Sequence, residues 1–177
     1  MKAEVSASTE NVIFRAGNSK EWHVLAVQTL PTEEHYGFIL ISDVKWWEKL
    51  RQRAKGSHSI HVFVRRNLVG PMEAEKLLFY VKRPYMQIKG VADFVERVAG
   101  EAEGLWERYG GETCLASFED YIKFLGGKEK ATFIRFKNFH ELEAPIPMEA
   151  LKKVLNISRI PRGGKYISRE VLNQLIT

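Results

Sequence analysis

The side chains with the clearest chemical potential in this sequence are arginines and lysines that stand beside aromatic residues. One group falls on consecutive predicted strand ends and on the turn that joins two of them: Arg65, Arg66, Lys82, Arg83, Tyr85 and Lys89. If those strands are neighbours, the cations converge at one mouth of a sheet, where they would neutralise the phosphates of a nucleic acid. Tyr85 could then stack on a base, an interaction worth ~1–3 kcal/mol. The alternative is that these residues are solvated strand ends and that Tyr85 covers the rim of the fold.

A second group lies in residues 159–169, which have neither a helical nor a strand period and contain no acidic residue. Its basic members are Arg159, Arg162, Lys165 and Arg169. Because backbone N–H groups in the Gly163-Gly164 turn can approach a phosphate closely, we predict that Lys165 and Tyr166 clasp a nucleotide there. The alternative is a basic surface loop without a ligand.

Other kinds of reactive site find little support. His58 and His61 are three residues apart, so on a strand they point to opposite faces and do not share a metal. Cys114 is the single cysteine, which excludes an internal disulfide and a thiolate zinc site, and no histidine or aspartate stands at a spacing diagnostic of a nucleophile. The glycine motifs of nucleoside triphosphate enzymes are absent from the sequence. We therefore predict no catalytic residue, no metal and no cofactor.

The composition indicates an ordinary folded protein. The chain has 177 residues, of which 45% are hydrophobic and 28% charged, and this suits one domain with at most a small appendage. Its formal net charge of +5 is compatible with a polyanionic partner, but also with a surface rich in charges of both signs. No apolar stretch is long enough to cross a membrane and the N-terminus lacks the apolar run of a signal peptide, so we expect a cytoplasmic protein without a membrane partner. The sequence gives no oligomeric state.

The elements that must position these side chains are organised around residues 77–95, LLFYVKRPYMQIKGVADFV. Two apolar segments are joined there by the basic, aromatic turn 82–85. We interpret them as the central pair of strands in a small β-barrel, because β-branched and aromatic residues dominate and the turn at Pro84 is tight. The competing interpretation is a helix, since the apolar residues between 91 and 98 also fit one helical face.

Strands and short helices alternate along the rest of the chain. The other predicted strands are 12–14, 22–30, 36–41, 59–66 and 132–139. The predicted helices are 44–55, 101–109, 117–126, 147–155 and 169–176, the fourth with Pro147 at its first helical position. This alternation predicts an α+β fold, a mixed β-barrel of about five to seven strands with short helices that cap its ends. We place the domain at residues 33–177, and residues 1–32 form an N-terminal extension whose two strands are expected to pack on the barrel.

Four motifs follow one another in the second half of the chain. They are KGVADF at 89–94, EGLWERYG at 103–110, SFEDYIKFLG at 117–126, and LEAPIP at 142–147 followed by IPRGGKY at 160–166. In their order and spacing, residues 77–170 resemble the PUA-like superfamily, and within it the ASCH and EVE-type domains of archaea and bacteria. Residues 36–47 resemble the opening strand and helix of EVE domains more loosely.

The resemblance implies a pseudobarrel of five or six strands, plugged by helices, with a groove that in related proteins takes RNA or a modified base. It also implies a base pocket formed by Ser42, Trp46 and Trp47, because EVE-like and YTH-like domains hold a modified base with such aromatic residues. The alternative is that the helix buries at least one of the two tryptophans in the core.

Some ASCH relatives are amidohydrolases that act on modified cytidine, with the signature G-x-K-x-x-E-x-R. Read from Gly56, the positions of its lysine, glutamate and arginine hold His58, His61 and Phe63 in this sequence. We therefore expect an RNA-binding module rather than an enzyme, with RNA as its partner and a modified nucleobase as a second candidate ligand.

Two alternatives stay open. The first is a small hydrolase acting on a modified nucleoside, for which Glu75, Lys89 and Asp93 are the available pieces. The second is a protein-interaction or regulatory domain, whose helices at 101–126 would present an aromatic patch.

Overall fold

The computed structural model describes residues 32–177 and, before them, two short strands. The chain divides into two compact units, Met1–Leu30 and Pro31–Thr177. In the first unit, β1 (Ile13–Arg15) and β2 (Trp22–Val24) pair as antiparallel strands, where strands 12–14 and 22–30 are predicted. Residues 12 and 25–30 of that prediction lie outside the described residues. All further elements belong to the second unit.

The second unit is built on one six-stranded mixed sheet. Its strands are β3 (Gly37–Ser42), β4 (Ile60–Arg65), β5 (Lys76–Val81), β6 (Gln87–Glu101), β7 (Lys130–Pro147) and β8 (Lys165–Ile167). They lie in the order β4-β7-β6-β5-β3-β8. Only the β3–β5 pair is parallel, and the other neighbours are antiparallel. The α+β fold class is therefore confirmed.

Five α-helices flank this sheet in the described part of the chain: α1 (Val44–Ala54), α2 (Ala102–Tyr109), α3 (Phe118–Leu125), α4 (Met148–Leu155) and α5 (Arg169–Ile176). Local signals set several of their ends. The hydroxyl of Ser117 accepts a hydrogen bond from the backbone N–H of Asp120, and Ser168 caps α5 in the same way through Val171. Of the helices that the structure describes, none is long and apolar enough to cross a membrane.

Pro147 corrects one of the predicted helix boundaries. Its ψ of 156° is extended, so it is the last residue of β7 and the N-cap of α4 rather than the first helical residue. β7 was expected to end near residue 139, but it continues to Pro147 because its second half still pairs with β6.

The organising pair is confirmed as β5 and β6, which are antiparallel and joined across residues 82–86. β6 is longer than predicted, since its final residues up to Glu101 pair with β7. Its register shifts at three places, between Ile88/Gly90, Val91/Asp93 and Phe94/Glu96. At the first two shifts the extra residues are in β7, whereas between Phe94 and Glu96 the extra residue is in β6 and breaks its period of two there.

The helices bury the sheet on both faces in three apolar clusters. α1 inserts Trp47 into the first cluster, α4 inserts Leu151 into the second, and α3 inserts Tyr121 into the third. Trp47 lies so close to β6 that a Cβ atom on Gly90 would be 2.7 Å from its ring. Glycine at this position therefore lets the helix approach the strand.

The expectation of a closed barrel needs correction, because the sheet ends in two edge strands, β4 and β8, that do not pair with each other. The short strand β8 was missed by the sequence analysis, since three residues next to two glycines show no period. β8 pairs only with Gly37–Ile39 of β3. Residues 40–42 of β3 therefore have no strand neighbour on that side within the described part of the chain, and a gap opens there towards β4.

Candidate functional site

An apolar pocket occupies the gap between β3 and β4. Its cavity volume is about 40 Å³, and about 430 Å³ when the open solvent at its mouth is included. Most of its wall is apolar, from side chains that include Leu50, Val62, Val64, Leu115, Phe124 and Phe136. The pocket exists because β8 stops short of the end of β3, while α1 and α3 close the sides of the gap. A flat apolar group that is hidden from water would suit such a wall.

The two adjacent tryptophans of α1 have different positions. Trp46 lines the pocket and is only partly buried, and its ring meets that of Phe124 edge-on with 5.2 Å between centroids. Trp47 is fully buried in the core beside Phe79 and Phe139, and its indole N–H has no hydrogen-bond partner among the described residues. Of the three residues expected to form a base pocket, Ser42 and Trp46 line the apolar pocket described above, whereas Trp47 belongs to the core.

Three cations surround the aromatic rim of this pocket. The Nζ atoms of Lys45 and Lys49 lie 5.2 Å and 5.1 Å from the centroid of the Trp46 ring. The guanidinium of Arg66 lies 5.3 Å from the ring centroid of Phe124. Within residues 32–177 none of these three cations forms an ion pair with a carboxylate. We call Trp46, Phe124, Lys45, Lys49 and Arg66 the pocket rim.

Ser42 supplies a polar group at the closed end of the gap. It is 2% exposed, and its hydroxyl donates a hydrogen bond of 3.0 Å to the carbonyl oxygen of Asp43. Cys114 is the other polar side chain of the wall, and burial raises the pKa of its thiol, which therefore stays protonated at neutral pH. The wall thus offers a ligand little charge, and the charge lies at the rim.

Arg65 and Arg66 are consecutive residues with different roles. Arg65 is 8% exposed and donates hydrogen bonds to the carbonyl oxygens of Val69 (3.1 Å) and Gly163 (3.0 Å). It therefore links the edge strand β4 to the turn that precedes β8, and its position does not support the expected contact with phosphate. Arg66 is exposed, and its guanidinium lies over the Phe124 ring at the pocket rim.

The hydrogen bond from Arg65 to Gly163 holds the basic segment 159–169 at the end of β4. Arg159 and Arg162 are exposed, and Lys165 is partly buried on β8 opposite Ile39. Tyr166 stacks on His35 with 4.1 Å between ring centroids, and its hydroxyl accepts a hydrogen bond of 2.8 Å from the backbone N–H of Met72. Tyr166 is thus engaged within the fold, which leaves Lys165 as the member of the predicted clasp that can face a ligand.

The turn between β5 and β6 lies apart from Arg65 and Arg66, so the first predicted group does not converge at one mouth. β7 and β6 separate β4 from β5, and the residues of β6 that lie nearest Arg65 are at the opposite end from Gln87. The turn instead meets the end of β3, where the backbone N–H of Lys82 donates to the carbonyl oxygen of Ser42.

Within that turn the basic side chains have local partners. Lys82 pairs with Asp43 at 2.9 Å, and the Nζ of Lys89 lies 3.6 Å from the centroid of the Tyr85 ring. Arg83, which precedes a cis proline, is exposed. Tyr85 is thus 40% exposed, with the Lys89 cation over its ring.

The pieces of a possible hydrolase do not meet in the pocket. Asp93 is held by Lys76 at 2.5 Å and by the amide of Asn138 at 2.7 Å, and these partners lower the pKa of its carboxyl group against the opposing effect of burial. Neither Glu75 nor Lys89 belongs to the pocket wall. No group of three or more His, Cys, Asp or Glu side chains in the described residues could hold a metal ion.

Comparison with known proteins identifies the fold. Neither the protein-family models nor the curated proteins contain a match to this sequence. Among solved structures, the chain is similar to the crystal structure of ASCH from Zymomonas mobilis, with 24% sequence identity and a TM-score of 0.65 over 81% of this chain and 95% of that chain. This chain has the ASCH-type fold.

Two variants of that protein agree with this ASCH-type assignment. A serine-to-alanine variant is 22% identical, with a TM-score of 0.63 over 81% of this chain and 96% of its own. A tyrosine-to-phenylalanine variant is also 22% identical, with a TM-score of 0.61 over 79% and 96% of the two chains. At these identities the likeness concerns the fold, and the function must be argued from this chain's own pocket.

The sequence analysis missed part of the pocket rim in this ASCH-type fold. Lys45 and Lys49 flank Trp46 at positions i−1 and i+3 of a predicted helix, a spacing that brings their side chains near its ring. Phe124 lies in the predicted helix 117–126, and an aromatic residue next to Leu125 near the end of that helix was a usable signal. Cys114 gave no signal, because only the tertiary fold places it in the wall.

Proposed function

We propose that this protein binds single-stranded RNA and holds one base in the pocket below Trp46. The observation that carries the proposal is the combination of an apolar pocket with a rim of two aromatic rings and three cations that have no carboxylate partner in residues 32–177. A base unstacked from its strand would enter the pocket, while the cations of the rim hold the phosphates on either side.

The path of the strand follows from the link between the two edges of the sheet. Arg66 is adjacent in sequence to Arg65, whose guanidinium reaches the carbonyl of Gly163. Consecutive Cα atoms are ~3.8 Å apart, so the Gly163-Gly164 turn lies within a few residues' reach of the rim. An RNA strand that leaves the pocket over Arg66 would therefore meet Arg162 and Lys165 next.

The apolar wall bears on the kind of base that fits. Ser42 uses its hydroxyl proton on a backbone carbonyl, and the Cys114 thiol is a weak hydrogen-bonding group. A base that carries an added apolar substituent, such as a methyl group, would lose less free energy through desolvation in this pocket than a base with an unmodified polar edge. A modified base is therefore the favoured occupant.

The proposal can be tested with a pair of charge-reversal variants. Lys49→Glu with Arg66→Glu should abolish binding of a fluorescein-labelled single-stranded RNA of about ten nucleotides, measured by anisotropy. Lys152→Glu with Lys153→Glu changes the net charge equally at two exposed residues of α4 and should retain most of the binding. Arg162→Glu with Lys165→Glu should weaken binding as well, because these residues lie on the path of the strand.

Salt dependence provides an independent measurement. Because phosphate contacts release counterions, the affinity of the unaltered protein should fall steeply between roughly 50 and 200 mM salt. Binding that does not change with salt over this range would contradict the proposal. So would a loss of binding in the control Lys152→Glu with Lys153→Glu that equals the loss in Lys49→Glu with Arg66→Glu.

A further inference from the structure

An open groove runs beside the pocket and shares part of its wall. The two hollows have Cys114 and Leu115 in common, and the groove continues past Lys49, Gln52, Arg53 and His58. Gln52 and His58 are exposed, so their hydrogen-bonding groups are accessible to a ligand. Since one short stretch of wall separates the pocket from the groove, a ligand in the pocket that is part of a chain could continue into the groove.

The charge of the groove favours an anion. Its carboxylate, that of Glu48, is paired with Arg51 at 3.0 Å, and that of Glu112 in the adjoining hollow is paired with Arg135 at 2.8 Å. Lys49 and Arg53, in contrast, form no ion pair with a carboxylate within residues 32–177. The positive charge of these two side chains therefore remains available to a ligand.

The positions of the two cations differ in a useful way. Lys49 belongs both to the groove and to the pocket rim, where its Nζ lies 5.1 Å from the Trp46 ring centroid, so its charge stands at the junction of the two hollows. Arg53 lies farther along and is held in place, since its Nε donates to Nδ1 of His61 at 3.1 Å and its Nη2 to the carbonyl of Ile60. These bonds use two of the five guanidinium protons and leave three for a ligand.

We propose that the groove binds the nucleotide next to the base in the pocket, with Lys49 and Arg53 on the phosphate that links the two nucleotides. Gln52 and His58 then offer donors and acceptors to the edge of the second base. This inference rests on the proposed function and extends it, because it makes a dinucleotide step, rather than a single base, the unit that the protein recognises.

Short ligands separate this inference from the proposed function. We would measure, by isothermal titration calorimetry, the binding of uridine, its 3′- and 5′-monophosphates and UpU, and of adenosine, its 3′- and 5′-monophosphates and ApA. At least one dinucleotide should bind about tenfold more tightly than its nucleoside, since it adds a phosphate contact and a second base. A monophosphate should gain only part of that factor.

A matched pair of double variants tests the groove itself. In the double variant Gln52→Ala with His58→Ala, the affinity gain of the dinucleotide over the nucleoside should fall close to the gain that the monophosphate shows over the nucleoside. His140→Ala with Gln174→Ala replaces the same residue types at exposed positions outside the groove and should leave the ratio unchanged.

Each outcome has a distinct meaning. Nucleosides that bind with no gain from the second nucleotide would overturn this inference and leave the proposed function standing. A monophosphate that gains as much as the dinucleotide would show a simple phosphate site and also overturn it. If neither nucleosides, dinucleotides nor the longer RNA bind, the proposed function itself fails.

Discussion

Helix α1 presents two faces whose surroundings differ in almost every respect. On the inner face, Trp47 is fully buried beside Phe79 and Phe139, and it lies against Gly90 of β6. On the outer face, Trp46 is partly exposed and has two lysines around its ring. The two residues are chemically identical and adjacent in sequence, so the difference between them comes from the fold alone.

The difference teaches that one helix can serve stability and binding with separate sets of side chains. The inner face removes apolar surface from water, which is the main source of folding free energy. The outer face keeps an aromatic ring and cations accessible at the mouth of a pocket, which contributes little to folding but much to the capture of a ligand. Variants on the two faces should therefore change different measurements.

The largest effect is expected on the inner face. Trp47→Ala should lower the free energy of unfolding by ~3–5 kcal/mol, because it leaves a large cavity beside Phe79 and Phe139. Urea unfolding followed by circular dichroism measures this loss. Trp47→Phe should cost less, since it keeps most of the apolar surface and removes the indole N–H that lacks a partner. Trp46→Ala serves as the control and should change stability by no more than about 1 kcal/mol, and equal losses at the two positions would contradict the comparison.

A buried histidine that contacts α1 also predicts how stability depends on pH. Arg53 of α1 donates to Nδ1 of His61, which is 3% exposed, and burial followed by the nearby Arg53 charge lowers the pKa of His61 to about 4. The unfolded chain, with a histidine pKa near 6.5, therefore binds more protons than the folded protein between these two values. Stability should fall as the pH is lowered from about 6.5 to about 4, by up to ~3 kcal/mol from this group.

A pair of histidine variants isolates that contribution. His61→Phe should flatten the dependence in this window, whatever its effect on absolute stability, when unfolding is measured at several pH values. His140→Gln removes an exposed histidine that is not among the groups around His61, and it should leave the dependence as it is in the unaltered protein. A slope that survives in His61→Phe would show that another group is responsible.

The two faces of α1 also separate what could be predicted from the sequence from what could not. The helix itself was predictable, because its apolar spacing, a preceding strand and Gly56 define its limits within a residue. The alternation of strands and short helices and the ASCH-type motifs also predicted the α+β class, but not the order of the strands in the sheet. What could not be predicted was which tryptophan faces inward, since that depends on where β6 passes and on the absence of a side chain at Gly90.

The charged residues are a second case in which the sequence alone did not determine which side chains are buried or lie close together. Arg65 and Arg66 look equivalent in the sequence. The pairing of β4 with β7 decides which of the two side chains is buried against the loop at Gly163, and that side chain is Arg65. The expectation that strand-end cations share one mouth required β4 and β5 to be neighbours, and two strands lie between them. Neighbour relations in a sheet are long-range, so local patterns do not determine them.

The outer face is tested by the loss of its ring. Trp46→Ala should weaken binding of the labelled single-stranded RNA by ~1–3 kcal/mol, the usual contribution of one base stacked on an aromatic side chain. Trp46→Phe should recover part of that affinity, because a smaller ring still covers the pocket. The measurement is anisotropy at constant salt, and circular dichroism confirms that each variant is folded. Unchanged RNA affinity in Trp46→Ala would mean that the pocket is not where a base binds.

The smallest effects distinguish the two lysines beside that ring. Lys45 and Lys49 stand at nearly equal distances from the Trp46 centroid, but only Lys49 also borders the groove. Lys45→Ala should weaken RNA binding roughly two- to fivefold and reduce the slope of log affinity against log salt by no more than about one, as for the loss of one phosphate contact. Lys49→Ala should do the same to the longer RNA and, in addition, reduce the gain from nucleoside to dinucleotide, which Lys45→Ala should leave intact. If both variants reduce that gain equally, the charge at the junction has no special role, and the outer face acts only as a diffuse positive surface around Trp46.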